Sequence, residues 1–472
     1  CIKSITTILH HDTGELIMTG LIIAALVTAL VVYLLARGYK PQPVLLLGGM
    51  LLLLLTASLD LNPLLPENKS TQFKYFDIFQ IFTDIMSSRL AGLGLTLMAI
   101  AGFSRYMEHV GASRALFAIF EKPLKTIKSP YLLLVISFLV TQILVIFIPS
   151  HAGLGMLLMV TMYPILIRSG ISPLSALAVI GCCQFIDHGP GSGNVIMAAK
   201  TADIEPAVYF VQHQLPITIP IIIAVAITHF FIQRWWDKRE GFVFDPTAID
   251  NVKEEGSQVP LSYALLPVIP LILIIGFSPL FHNYIKLEVT TAMIISTVIA
   301  LVFEYVRLRD AKAVMNSFML FFEGMGKQFV LVVSLIVSGE FFANGLLKSG
   351  AVDTLISSAQ DAGFGIAAMI IVMSAILALA AFLMGSGNAA FFSFAALTPK
   401  IAAFLKVDVI TLILPMQIMT SFGRTVSPIT AAIVAIAGIA NVSPFQIVKR
   451  TAIPMAIAAT VNLAMTFWFL YT

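Results

Sequence analysis

Charge is scarce in this sequence: Asp, Glu, Lys and Arg together make up 11% of 472 residues, and the formal net charge is only +3. No basic block is interleaved with aromatics, so a nucleic-acid surface is excluded. Cysteine is almost absent, and Cys1, Cys182 and Cys183 form neither a CxxC pair nor a disulfide framework. Adjacent Cys182 and Cys183 sit in an apolar run and read as small packing residues. No GxSxG elbow and no HExxH motif occurs, which leaves an embedded hydrolase using Ser150, His151 and Asp187 without its usual companions.

What is abundant is apolar surface. Hydrophobic residues reach 58% and mean hydropathy is +0.95, more than a water-soluble domain of this length can cover. Runs such as Leu16 to Ala36 and Leu261 to Phe281 reach the ~20 residues that cross a bilayer core as helix. The fold class expected is an all-α polytopic membrane protein in a lipid bilayer. Spans are predicted near 16–36, 42–59, 90–109, 173–198, 214–233, 260–281, 289–306, 327–345, 408–440 and 450–471. The first Met is Met18, where the first apolar run begins, and residues 1–15 are expected to be a leader or remnant without fold information.

Two further apolar stretches, 130–168 and 364–405, are each broken in the middle by a polar cluster. Lys and Arg gather at Arg37 and Lys40, at Arg114 to Lys128, at Arg168, at Arg234 to Arg239, at Arg307 to Lys312 and at Lys449 and Arg450. Those positions mark the cytoplasmic side, which leaves both chain ends periplasmic. The pattern holds only if 130–168 and 364–405 are re-entrant hairpins entering from opposite sides. The hydrophilic segment 234–259 is the predicted cytoplasmic linker between two halves, 16–233 and 260–472.

The halves carry a weak internal repeat. Ser150 to Pro164 lies over Gly385 to Pro399, and Pro190, Pro206 and Pro216 fall on Pro428, Pro444 and Pro454 at one offset of 238 residues (428 − 190). An odd number of spans per half turns the second copy upside down. Two inverted repeats are the architecture of secondary transporters, with the binding site at the repeat interface.

Four interruptions then pair up: the hairpin tips Ser150 to Gly155 and Gly385 to Asn388, and the broken spans DHGPGSGN (Asp187 to Asn194) and GRTVSPIT (Gly423 to Thr430). Broken helices expose N-termini that hold carboxylates and carbonyls that hold Na+. On this reading a small organic dianion is held by Ser150, His151, Asn194, Ser386, Gly387, Asn388, Arg424, Thr425 and Ser427. Coupling-ion candidates are Ser150, Asp187, His188, Gly189, Gly385, Asn388 and Ser427, with sodium at the hairpin tips as the one metal expected. Each residue also has a plainer role: the glycines allow close helix packing, the asparagines satisfy local backbone, and Asp187 and Arg424 form a structural ion pair. Glu340 lies near the scaffold interior or at a span end, with proton coupling as its functional alternative.

At MGSGNA (Met384 to Ala389), SPITAA (Ser427 to Ala432), SPFQIVKRTAIP (Ser443 to Pro454), RLAGLGL with RYMEHVGASRA (Arg89 to Ala115) and HFFIQRWWDKRE (His229 to Glu240), the sequence resembles the anaerobic C4-dicarboxylate carriers of the Dcu type C and D group, within the ion transporter superfamily. The resemblance runs from about residue 17 onward. It implies exchange, uptake or efflux of fumarate, succinate or malate across the bacterial inner membrane, no enzyme activity, and a homodimer joined through scaffold spans. More distantly, the two tips are similar to the hairpin tips of divalent anion/sodium symporters, which bind carboxylate and Na+. His151 and Ala152 stand where that likeness implies small polar residues, so a different organic anion stays open. A channel is the further alternative, and it requires a polar stripe along whole helices that this sequence does not carry.

Overall fold

The protein is described by a computed structural model covering residues 2–244, 259–281, 284–354 and 365–471. Among these residues every regular element is helical. In chain order they are α1 (Ile2–Ala36), α2 (Pro41–Ser58), α3 (Lys74–His109), α4 (Ala112–Lys125), α5 (Pro130–Phe147), α6 (His151–Arg168), α7 (Pro173–Gly181), α8 (Gly193–Thr201) and α9 (Pro206–Arg239). The second half continues with α10 (Leu261–Gly276), α11 (Val289–Leu308), α12 (Ala311–Lys348), α13 (Ile366–Met384), α14 (Gly387–Ala395), α15 (Thr398–Leu405), α16 (Val409–Thr425), α17 (Ala431–Ala440) and α18 (Pro444–Tyr471). Proline opens α2, α5, α7, α9 and α18, where its missing N–H costs no intrahelical bond.

Among the described residues ten helices are long and apolar enough to cross a membrane. Their outer faces carry exposed Leu47, Leu54, Ile294, Val298, Ile376 and Leu379, a surface suited to lipid tails. Much of the core lies between helices of the two halves, α2 packing on α12, α3 on α12 and α11, and α9 on α18, while α13 packs on α16 within the second half.

Several spans depart from their predicted bounds. The one expected at 90–109 begins at Lys74, and the one expected at 327–345 begins at Ala311. Both long helices carry a π turn, Leu90–Gly94 and Phe329–Val333, and the two turns touch. Arg89 and Glu340 form an ion pair between these helices, so Glu340 has a structural partner. Residues 261–268 are 3-10 helix rather than α. That geometry stretches the 16 residues of α10 to about 28 Å, just short of a ~30 Å bilayer core. The predicted linker starts inside α9, which continues to Arg239, and positions 245–258 lie outside the described residues.

A charged cluster gathers at the end of α9, with Arg450 and Asp237 buried and Glu240 exposed. Arg450 donates to Asp237 and to Glu240, each at 2.5 Å, and to Ser175 at 2.7 Å. Ser172 and Tyr131 also donate to Asp237. The starts of α5, α7 and α18 are thereby tied to the end of α9.

Candidate functional site

Each of the four interruptions has a local cause. Pro149 bars helical geometry at Ile148, which takes φ −122°, ψ 82°, and the chain re-enters helix at His151. Gly189 (φ +99°) and Pro190 separate α7 from α8. Gly385 ends α13 in the left-handed conformation (φ +63°), and a Cβ there would lie 2.7 Å from Ile429. Pro428 lies in the turn between α16 and α17.

The consequence is four helix N-termini around one cavity of about 800 Å³: those of α6, α8, α14 and α17. Their N-cap residues are all hydroxylic, Ser150, Ser192, Ser386 and Thr430, and all four line the cavity. Ser150 accepts from the Gly153 N–H at 3.3 Å and Ser386 from the Ala389 N–H at 3.2 Å. Ser192 and Thr430 make no such bond, so the first turns of α8 and α17 keep their N–H groups uncapped by side chain. Packing is reciprocal between the halves: α6, from the first tip, lies on α17, and α14, from the second tip, lies on α8.

Asp187 sits at the hub. Its carboxylate takes Arg424 Nη1 at 2.8 Å, His151 Nε2 at 2.9 Å, Ser421 Oγ at 3.4 Å and the Asn194 amide. Its backbone carbonyl accepts from Gln214 at 2.7 Å and Gln417 at 2.8 Å. The carboxylate is therefore compensated by a cation and by three neutral donors, which buried charge requires. Arg424 also donates twice to the Gln184 carbonyl, at 2.9 and 2.8 Å, and to Asn388 Oδ1 at 3.2 Å. Those bonds commit four of its five N–H donors, and the side chain still borders the cavity. Gly387 makes this approach possible, since a Cβ there would lie 3.0 Å from Arg424 Cδ and from the Thr420 carbonyl.

Of the residues singled out from sequence, Ser150, His151, Asp187, Asn194, Gly385, Ser386, Gly387, Asn388 and Arg424 border this one cavity. The others stand behind its wall. Thr425 gives its hydroxyl to Ser421 and Gln184 carbonyls, and Ser427 gives its own to the Phe382 carbonyl at 2.7 Å. His188 is buried with its ring nitrogens on the Gln142 and Ile186 carbonyls, and Gly189 packs toward Ile146. Sequence reasoning missed Gln184, whose Nε2 has no partner although the residue borders the cavity. It also missed four charged residues of the lining, Arg105 and Glu108 of α3 and Glu323 and Lys327 of α12. The i,i+3 and i,i+4 spacing of those charges is the signal that marks them. Among the described residues no cluster of three His, Cys, Asp or Glu suited to a metal occurs.

Comparison with known proteins gives consistent results. The family model described as C4-dicarboxylate anaerobic carrier, DcuC, matches residues 19–471. A protein of Vibrio cholerae serotype O1 named "Probable anaerobic C4-dicarboxylate transporter DcuC" is 35% identical over 442 residues, 93% of this chain and 96% of that one. One from Escherichia coli K12, named an anaerobic C4-dicarboxylate transporter, is 33% identical over 446 residues, covering 94% and 96%. Among solved structures, the YdaH transporter of Alcanivorax borkumensis superposes with a TM-score of 0.61 at 14% identity, over 92% of this chain and 99% of that chain. MtrF of Neisseria gonorrhoeae, presented with a class of antimetabolite efflux pumps, gives 0.58 at 13%, over 91% and 94%. At that identity the two share the fold.

Proposed function

This chain belongs to the C4-dicarboxylate anaerobic carrier family, membrane transporters rather than enzymes; on that premise we propose that it carries a small organic dianion of the C4-dicarboxylate class across the bacterial inner membrane by alternating access. One observation supports the reading above others: four helix N-termini and Arg424 converge on a single cavity. A dianion brought to the middle of a membrane loses hydration worth several kcal/mol per charge, and fixed donors must replace it. Helix N-termini supply partial positive charge and N–H groups at no cost in flexible side chains.

On this reading one carboxylate lies at the second tip, against Asn388 and the first turn of α14, within reach of Arg424. The other lies toward the uncapped first turn of α8 and the unpartnered Gln184 amide. The tips of 130–168 and 364–405 lie at mid-depth, because they share a cavity with breaks whose half-helices, α7, α8 and α17, are at most 10 residues long. Residues 16–233 and 260–472 act as inverted repeats, and the reciprocal packing of tips and broken helices supports this. A coupling Na+ has Asn194 Oδ1, which is unpartnered, and the freed backbone carbonyls as oxygen ligands.

The test is counterflow in proteoliposomes with a panel of labelled organic acids, run with Na+ and pH varied in turn. Exchange confined to C4-dicarboxylates is the expected result. Exchange of monocarboxylates alone, or of none of the panel, overturns the assignment.

A further inference from the structure

A second cavity, of about 1010 Å³, lies back to back with the first. The two share two helices. Along α3, Thr96 borders the second cavity and its neighbour Leu97 borders the first. Along α8, Gly193 and Asn194 border the first, while Ile196 and Lys200 border the second. From Gly193 to Lys200 the helix rises only about 10 Å. The wall between the cavities is thin and specific: Thr96 Oγ1 and Thr290 Oγ1 are hydrogen-bonded at 2.8 Å, and Leu97 closes on Gly193, where a Cβ would lie 3.1 Å from it.

The second cavity also carries uncommitted cations. Neither Lys200 nor Lys286 has an ion pair or hydrogen-bond acceptor among the described residues. Of the two carboxylates present, Glu205 accepts from the Ala207 and Val208 N–H groups at 2.8 and 3.1 Å, and Glu288 acts on Lys200 through space without an ion pair to it.

Resting on the transport reading above, we propose that this second cavity is a vestibule for the same organic dianion on the opposite side of the wall, that Lys200 with Lys286 forms its anion station, and that the Thr96–Thr290 and Leu97–Gly193 contacts are the closed barrier between the two. The dianion leaving the four helix N-termini meets Lys200 at the far end of α8 before it reaches bulk water.

Sided kinetics test this. The KM for labelled succinate is measured separately for entry from the Lys200 side and from the Arg105 and Glu108 side, using intact cells and inside-out vesicles. In Lys200→Gln with Lys286→Gln, the ratio of the two KM values is expected to shift about tenfold, with affinity lost on the Lys200 side, as removal of a charge-assisted contact implies. A ratio equal to wild type overturns the proposal, whether both values rise together or neither moves. Should the double variant fail to fold, Lys200→Cys replaces it: succinate is expected to slow its modification by an anionic thiol reagent, and an unprotected rate counts against the vestibule. Wild-type counterflow is recorded first, because its absence defeats the transport reading itself and this proposal with it.

Discussion

Asp187 and Arg424 meet at 2.8 Å with both side chains almost wholly buried, and they come from opposite halves of the chain. The pair is thus a contact between the halves as well as part of the cavity wall. Removing one partner strands a buried charge, which costs about 3–5 kcal/mol. Arg424→Gln is expected to lower the thermal midpoint of the purified protein and to abolish dicarboxylate transport. Adding Asp187→Asn is expected to restore the midpoint without restoring transport, because the substrate's cation is still missing. Lysine at 424 gives partial transport at best, having no bidentate fork. Recovery of transport in the double variant would show the pair to be structural only.

Asn388 accepts from Arg424 and stands in the first turn of α14. On the proposed binding mode, Asn388→Ala is expected to cost a charge-assisted bond to the substrate of roughly 1.5–3 kcal/mol, about ten- to a hundredfold in affinity. Equilibrium binding of labelled succinate to detergent-solubilised protein measures it. Wild-type affinity in a folded variant removes the second tip from the site.

Gly423 tests the packing that brings α16 to the second hairpin. A Cβ there would lie 2.1 Å from the Ala378 carbonyl oxygen and 2.9 Å from its carbon, and backbone cannot swing aside. Gly423→Ala is expected to cost at least about 1–3 kcal/mol and to reduce the monodisperse fraction on size-exclusion chromatography. An unchanged elution profile and thermal midpoint would mean that α13 and α16 sit farther apart than described.

Topology has its own check. Lys122 and the segment 234–259 are expected to face the cytoplasm and both chain ends the periplasm. Single cysteines are placed in a background without Cys182 and Cys183, both fully buried, and exposed to an impermeant thiol reagent on intact cells. Labelling within 234–259 but not near Thr472 would reverse the orientation.

The four interruptions were legible because Gly, Pro, Ser and Asn clusters stand out against apolar helix, and the helices do break at each of them. The spans were less so. Hydropathy cut α3 short at residue 90 because Asp77, Asp84 and Arg89 read as solvent-facing. Asp77 is in fact buried, held by Ser70 and Thr71, and Arg89 is paired with Glu340 across to α12. Asp77 is held by hydroxyls six and seven residues before it, whereas Arg89 is satisfied by a partner 251 residues away that no window of residues contains. The same holds for Gln214 and Gln417, neutral amides that donate to the Asp187 carbonyl, and for the backbone carbonyl of Gln184, which accepts from Arg424. Thr425 and Ser427 show the converse: their polar side chains satisfy neighbouring carbonyls rather than facing the cavity.

The hub formed by Asp187 and Arg424 has a further consequence. With His151 neutral, one carboxylate and one guanidinium sum to no net charge, and the helix N-termini add dipoles rather than ions. On the proposed mechanism, an empty carrier of this design returns without sensing the membrane voltage at its site. A bound dianion changes that: each uncompensated charge moved through the full field is worth about 2.3 kcal/mol per 100 mV. The transmembrane voltage then acts on the loaded passage alone, and the direction of net flux follows from which side the substrate occupies and how many cations accompany it.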